Sequence, residues 1–120
     1  MNMSLSTSVR NKGNTRIVDV AGGVVVKTSP ELRQVLFDAL GNGSKVVLNL
    51  AEITCIDSSG IAVLLEALLE SQRRHGQFVL FGMNPAVQDV FKITHVARVF
   101  HVAESEEQAL SAESSLAGRV

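Results

Sequence analysis

Hydrophobic and polar residues alternate over positions 4–10, with Leu5, Thr7 and Val9 on one side. A period of two marks a half-buried strand. Residues 15–20 (Thr-Arg-Ile-Val-Asp-Val) form a second such run, and Asn11-Lys12-Gly13-Asn14 between them supplies turn residues. A β-hairpin is therefore expected. Gly22-Gly23 breaks the second run, and Val24-Val25-Val26 reads as the start of another short extended piece. The period changes at Ser29-Pro30, where Ser suits the N-cap and Pro the first helical position. Leu32, Val35, Leu36, Ala39 and Leu40 recur at helical spacing until Gly41 and Gly43 end the segment.

Val46-Val47-Leu48-Asn49-Leu50 is mostly apolar, as a central strand covered on both faces should be. After Ile56-Asp57-Ser58-Ser59-Gly60 comes the strongest helical pattern, expected over 60–74. Ile61, Leu64, Leu65, Leu68 and Leu69 form its stripe, with Glu66, Glu70, Gln72 and Arg73 on other faces and Gly76 closing it. Phe78-Val79-Leu80-Phe81 predicts another buried strand. Asn84-Pro85 opens a short helix with Val87, Val90 and Phe91 inward. Val99-Phe100-His101-Val102 reads as a last strand, and Ser105-Glu106-Glu107-Gln108 as a capping box before a final weak helix. Strands alternating with helices imply an α/β fold with a mixed, mostly parallel sheet of about five strands and about four helices. The expected organisation is one domain over 1–120, with a core over 4–112 and a frayed tail over 113–120.

Composition narrows the function more than the fold. Hydrophobic residues make up 46% of the 120 positions, enough for a packed core and too many for a disordered chain. There is no Trp or Tyr, so Val, Leu, Ile and Ala must build that core. A formal net charge of −1 gives no electrostatic reason to bind nucleic acid or an anionic membrane. Cys55 is the only cysteine, which excludes an internal disulfide. No apolar run reaches the roughly 18 residues that a membrane span needs, and no signal peptide is apparent. The cytoplasm is the expected compartment.

Reaction chemistry is scarce. The chain has no P-loop, and no G-x-S-x-G elbow surrounds any serine. His75, His95, His101 and Cys55 fit no zinc or triad spacing, so neither a metal nor a cofactor is expected, and an enzyme is not. Asp57-Ser58-Ser59 at a strand-to-helix junction admits two readings. One is an ordinary helix cap, worth about 1 kcal/mol. The other is a binding or modification site at the carboxyl edge of the sheet, where α/β proteins commonly meet ligands and partners. A cap needs one polar residue, whereas three stand here in a row.

The run Val46–Leu50, then Ile53, Ile56, Asp57-Ser58-Ser59-Gly60-Ile61 and Leu64-Leu65, resembles the core motif of STAS domains, and among them the bacterial anti-sigma factor antagonists. Asn84-Pro85-Ala86-Val87 and the position of Val99-Phe100 extend the resemblance over about Ile17 to Leu110 by element order. It implies a binding protein switched by phosphorylation. The first serine of D-S-[ST]-G, here Ser58, would be modified by an anti-sigma serine kinase. The unmodified protein would bind that kinase, and a serine phosphatase would reset it. Asp57, Ser59 and Gly60 would shape the switch loop, with Gly60 admitting close approach to the partner's nucleotide site. The segment that often reads Gly-Glu-Leu-Asp in such antagonists is Gly22-Gly23-Val24-Val25 here, without acidic residues, which bears on partner choice. Alternative roles within the resemblance are an adaptor for the ATPase of a lipid-transport complex, or a regulator of another output such as biofilm formation.

Overall fold

The computed structural model describes residues 4–112. The hairpin consists of strands β1 (Leu5–Lys12) and β2 (Thr15–Val24), antiparallel, with Lys12 opposite Thr15. Only Gly13-Asn14 turn; Asn11 and Lys12 pair within the ladder. There follow α1 (Ser29–Leu40), β3 (Lys45–Ile56), α2 (Ser58–Arg73), β4 (Gln77–Phe81), α3 (Pro85–Thr94), a 3-10 turn (Ala97–Val99), β5 (His101–Ala103) and α4 (Glu106–Ser111). The sheet order is β1-β2-β3-β4-β5, and every pair after the hairpin is parallel. This is the mixed, mostly parallel α/β architecture that the sequence predicts.

Neighbouring residues of the central strands enter different cores. Val18, Leu48 and Leu80 join Leu36 of α1, Leu64 of α2 and Phe91 of α3 in the larger cluster. Ile17, Val47 and Val79 point the other way and pack with Phe81, Ala103 and Ala109 under α4. Burial on both faces explains why these strands read as continuous apolar runs rather than alternating ones. Polar ties close the smaller side. Arg10 pairs with Asp19 (2.6 Å) and Glu106 (2.8 Å), and Asn49 donates to Asp19 (2.9 Å), joining β1, β2, β3 and α4. At the other end of α4, Lys45 Nζ donates to the carbonyls of Leu110 (2.8 Å) and Ala112 (2.6 Å). The last turn of α1 has no basic residue of its own. Arg16 donates to Ala39 O (2.9 Å) and Arg74 to Gly41 O (2.7 Å), satisfying carbonyls that the helix end leaves open.

Several local expectations are corrected. Gly22-Gly23 does not break β2: the strand continues to Val24 through register shifts, and no separate strand covers 24–26. Ser29 is not the N-cap of α1. Thr28 occupies that position without a side-chain cap, its hydroxyl bonding the preceding turn instead. Helix α2 begins two residues earlier than the pattern suggests and ends at Arg73. Its buried face carries Ile61, Val63, Leu64 and Ala67, whereas Leu69 is 63% exposed. Periodicity alone weighted the larger leucine over the smaller side chains that fit against the sheet. His75, with φ 63°, follows α2 in the left-handed conformation expected of Gly76. Val99 lies in the 3-10 turn, and the last strand is only His101–Ala103, because Phe100 turns inward against Phe91 (ring centroids 5.7 Å). Ser105 caps α4 by accepting from Gln108 N (3.1 Å), but the returning bond runs from Glu104 N to the Gln108 side chain (3.0 Å). The expected frayed tail lies outside the described residues.

Gly22 explains how β2 carries on. Its φ of +106° is disfavoured for a side-chain-bearing residue, and a Cβ there would sit 2.1 Å from Ser4 O. Gly22→Ala is expected to destabilise the fold by about 2 kcal/mol or more through strain and displacement of the start of β1. Urea denaturation of the two proteins measures it.

Candidate functional site

Strand β3 ends at the carboxyl edge of the sheet, where Ile56 pairs with Val24 of β2. Asp57 then takes an extended conformation (φ −115°, ψ −171°) and donates its N–H to Val24 O (3.1 Å). That pose aims its carboxylate back over the first turn of α2. Asp57 Oδ1 accepts from Ser59 N (2.9 Å), Gly60 N (3.2 Å) and Ser59 Oγ (2.5 Å). The Ser59 hydroxyl and these amides hold the Asp57 carboxyl below the usual carboxylate range, against the opposing effect of partial burial. The Val26 backbone amide adds a smaller effect in the same, lowering direction.

The two serines thus differ. Ser59 is half-buried, and its hydroxyl is engaged by Asp57. Ser58, the first residue of α2, is exposed, and its hydroxyl makes no hydrogen bond among the described residues. Gly60 is buried beneath them. A Cβ on Gly60 would lie 2.6 Å from Ile56 Cγ1, 2.7 Å from Val24 Cγ1 and 2.9 Å from Val24 O. The glycine is thus required by packing inside this chain, a nearer cause than the partner's approach expected from sequence.

The parallel pairing of β2 and β3 brings a second segment to the site. After Val24 the chain turns tightly: Thr28 N and Ser29 N both donate to Val25 O (3.0 and 2.7 Å). Thr28 Oγ1 donates to Gly23 O (2.7 Å) and accepts from Val25 N (2.9 Å). Val26 is held at the tip, 71% exposed, with exposed Lys27 beside it. Just beyond Gly22-Gly23-Val24-Val25, the segment without acidic residues, the surface is thus apolar at Val26 and basic at Lys27. No local pattern marks this turn, because its nearness to Asp57 comes from the pairing of Val24 with Ile56 across about thirty residues of chain. The remaining candidates stay apart. Cys55 is half-buried on β3, His75 and His95 follow the ends of α2 and α3, and His101 lies on β5. Among the described residues no group of three or more His, Cys, Asp and Glu could hold a metal ion, and no helix is long and apolar enough to cross a membrane.

The model of the STAS domain matches residues 6–109. The chain belongs to the STAS domain family. A relative of the STAS chain, from Staphylococcus aureus and named anti-sigma-B factor antagonist, is 27% identical over 108 residues, covering 89% of this chain and 98% of its own. Among solved structures, an anti-sigma factor antagonist from Mycobacterium paratuberculosis superposes with a TM-score of 0.81 at 21% identity, over 90% of this chain and 92% of its own. SpoIIAA in its unphosphorylated form does so at 0.72 and 19% identity, over 96% and 98%. The phosphorylated form of Bacillus SpoIIAA gives 0.65 at 19% identity, over 88% and 96%. The expected family and fold are thus both found.

The cap of this STAS helix has a pH signature. Asp57 is more acidic folded than unfolded, so its contribution is complete above about pH 5 and is lost as the pH falls through its depressed folded value. Asp57→Ala is expected to cost about 1 kcal/mol at neutral pH, and less once the wild-type carboxylate is protonated. Urea unfolding at pH 7 and at about pH 3 measures the two differences.

Proposed function

We propose that this chain is an anti-sigma factor antagonist controlled at Ser58. With Ser58 unmodified it binds an anti-sigma serine kinase in the cytoplasm; with Ser58 phosphorylated it lets go; a serine phosphatase restores the binding form. The observation that carries this reading is the division of labour between the serines. Asp57 engages the Ser59 hydroxyl and leaves the exposed Ser58 hydroxyl free for a kinase.

The electrostatics favour release. A phosphate would add a charge of about −1.5 to −2 at neutral pH. A helix N-terminus ordinarily welcomes such a charge. Here the Ser59 and Gly60 amides already serve the Asp57 carboxylate, so the phosphate would meet a second anion at the same helix end. In a dry interface, an unpaired dianion beside that carboxylate is costly to desolvate. A hundredfold loss of affinity needs only about 2.7 kcal/mol, within reach of one buried unpaired charge. No refolding is required.

An enzymatic role for Ser58 has less support. A nucleophilic serine needs a base in hydrogen-bond reach, and the adjacent carboxylate of Asp57 takes the other hydroxyl. The relatives are named as antagonists of anti-sigma factors, which are regulators.

Incubation with ATP and a lysate of the host cell, followed by mass spectrometry, should place phosphate on Ser58. Phosphate on Ser59 alone would overturn the assignment. Ser58→Ala should retain kinase binding, and Ser58→Asp should weaken it by about tenfold or more in calorimetric titration. Equal binding by the two variants would remove the charge switch. No phosphate at all, with co-purification of a transporter ATPase, would point to an adaptor instead.

A further inference from the structure

A cleft of about 500 Å³ opens between α3 and the carboxyl ends of β4 and β5. That volume falls within the range of small-molecule sites. Its place in the topology is also telling. From β4 the chain passes to α3, which packs Val87 and Phe91 into the larger core. From β5 it passes to α4, which packs Ala109 on the opposite face. The connections leaving two adjacent parallel strands thus diverge to opposite sides of the sheet. Such a divergence leaves a crevice outside the strand ends, where open α/β sheets bind ligands.

The walls are firmly built. Asn84 caps α3 by accepting from Val87 N (3.0 Å), and its amide donates to Ile53 O on β3 (2.7 Å). Gln88 Nε2 donates to Met83 O (2.9 Å), closing one rim. Met83, Ala97 and Val102 supply apolar surface above the buried Phe91, and Val102 is 40% exposed although it lies on a strand. Two charges complete the lining: Lys92 from α3 and Glu104 from the end of β5. Both are exposed. Neither has an ion-pair partner among the described residues, and they do not pair with each other across the cleft.

We infer that this cleft binds a small zwitterion of the α-amino-acid type with an apolar side chain. The carboxylate faces Lys92, the ammonium faces Glu104, and the side chain covers Met83, Ala97 and Val102. A purely anionic ligand would be repelled by Glu104 and a purely cationic one by Lys92, while a neutral apolar molecule would use neither charge. Ser58 is not among the residues that line this cleft.

The test is a titration of the 15N-labelled full chain followed by amide NMR shifts. The probes are L-phenylalanine, phenylacetate, which lacks the ammonium, and phenethylamine, which lacks the carboxylate. L-phenylalanine should produce saturable shifts at Gly82, Lys92, Ala97 and Glu104 below ~10 mM, and each single-charge probe should bind about fivefold more weakly. Lys92→Gln should lower L-phenylalanine affinity by about the same factor and leave phenethylamine unaffected or improved. Val102→Trp, which fills the cleft, should abolish the shifts. Absence of saturable shifts, shifts centred elsewhere, binding unaffected by Val102→Trp, or equal affinity for all three probes would overturn the inference.

Discussion

The turn between β3 and α2 rests on an atom that is missing. Val24 and Ile56 pair across parallel strands, and the first turn of α2 settles directly on them because Gly60 has no Cβ. That close approach sets where the helix begins. It puts Asp57 in the extended pose from which one carboxylate oxygen caps two amides and accepts the Ser59 hydroxyl. It also puts Ser58 on the outside. A helix displaced by the width of a methyl group would shift the cap and the serine together, so the cap, the exposed hydroxyl and the neighbouring Val24–Thr28 turn form one mechanical unit.

This arrangement gives the motif's residues distinct tasks. Asp57 organises the helix end, Ser59 completes the carboxylate's hydrogen bonding, and Gly60 permits the packing. Ser58 is the member left with no hydrogen bond in the cap, as the proposed switch requires. A hydroxyl holding a cap together could not accept phosphate without loosening the helix. One outside the cap can change charge while the fold stays as it is.

Much of this was legible in the chain. The apolar runs at Val46–Leu50 and Phe78–Phe81, the Asn84-Pro85 start and the 3.6-residue stripe after Gly60 placed most elements, because the physics behind each is local: burial on two faces, capping, helical period. The D-S-S-G run between apolar flanks pointed to the candidate site. Misplacements occurred where contacts between distant segments overrode local preference. Gly22 reads as a break in sequence because its close approach to Ser4 O is a contact between distant segments. Leu69 fits the helical stripe yet stays exposed, because hydrophobicity says which residues resemble core, not which face of the helix the sheet covers. Ser29 lost its expected cap role to Thr28, whose hydroxyl was drawn to a strand carbonyl five residues back.

Element order, the mixed sheet and the identity of the candidate switch residues followed from the sequence, since these depend on periodicity and on residue types at short spacing. The tertiary structure alone decided which serine is free, why Gly60 must be glycine, and that the turn after Val24 meets the Asp57 cap. It also decided that β4 and β5 diverge to open a cleft between Lys92 and Glu104. The physical reason is the same in each case. Parallel strands are paired through crossovers, so their register, and everything assembled at their carboxyl ends, joins residues far apart along the chain.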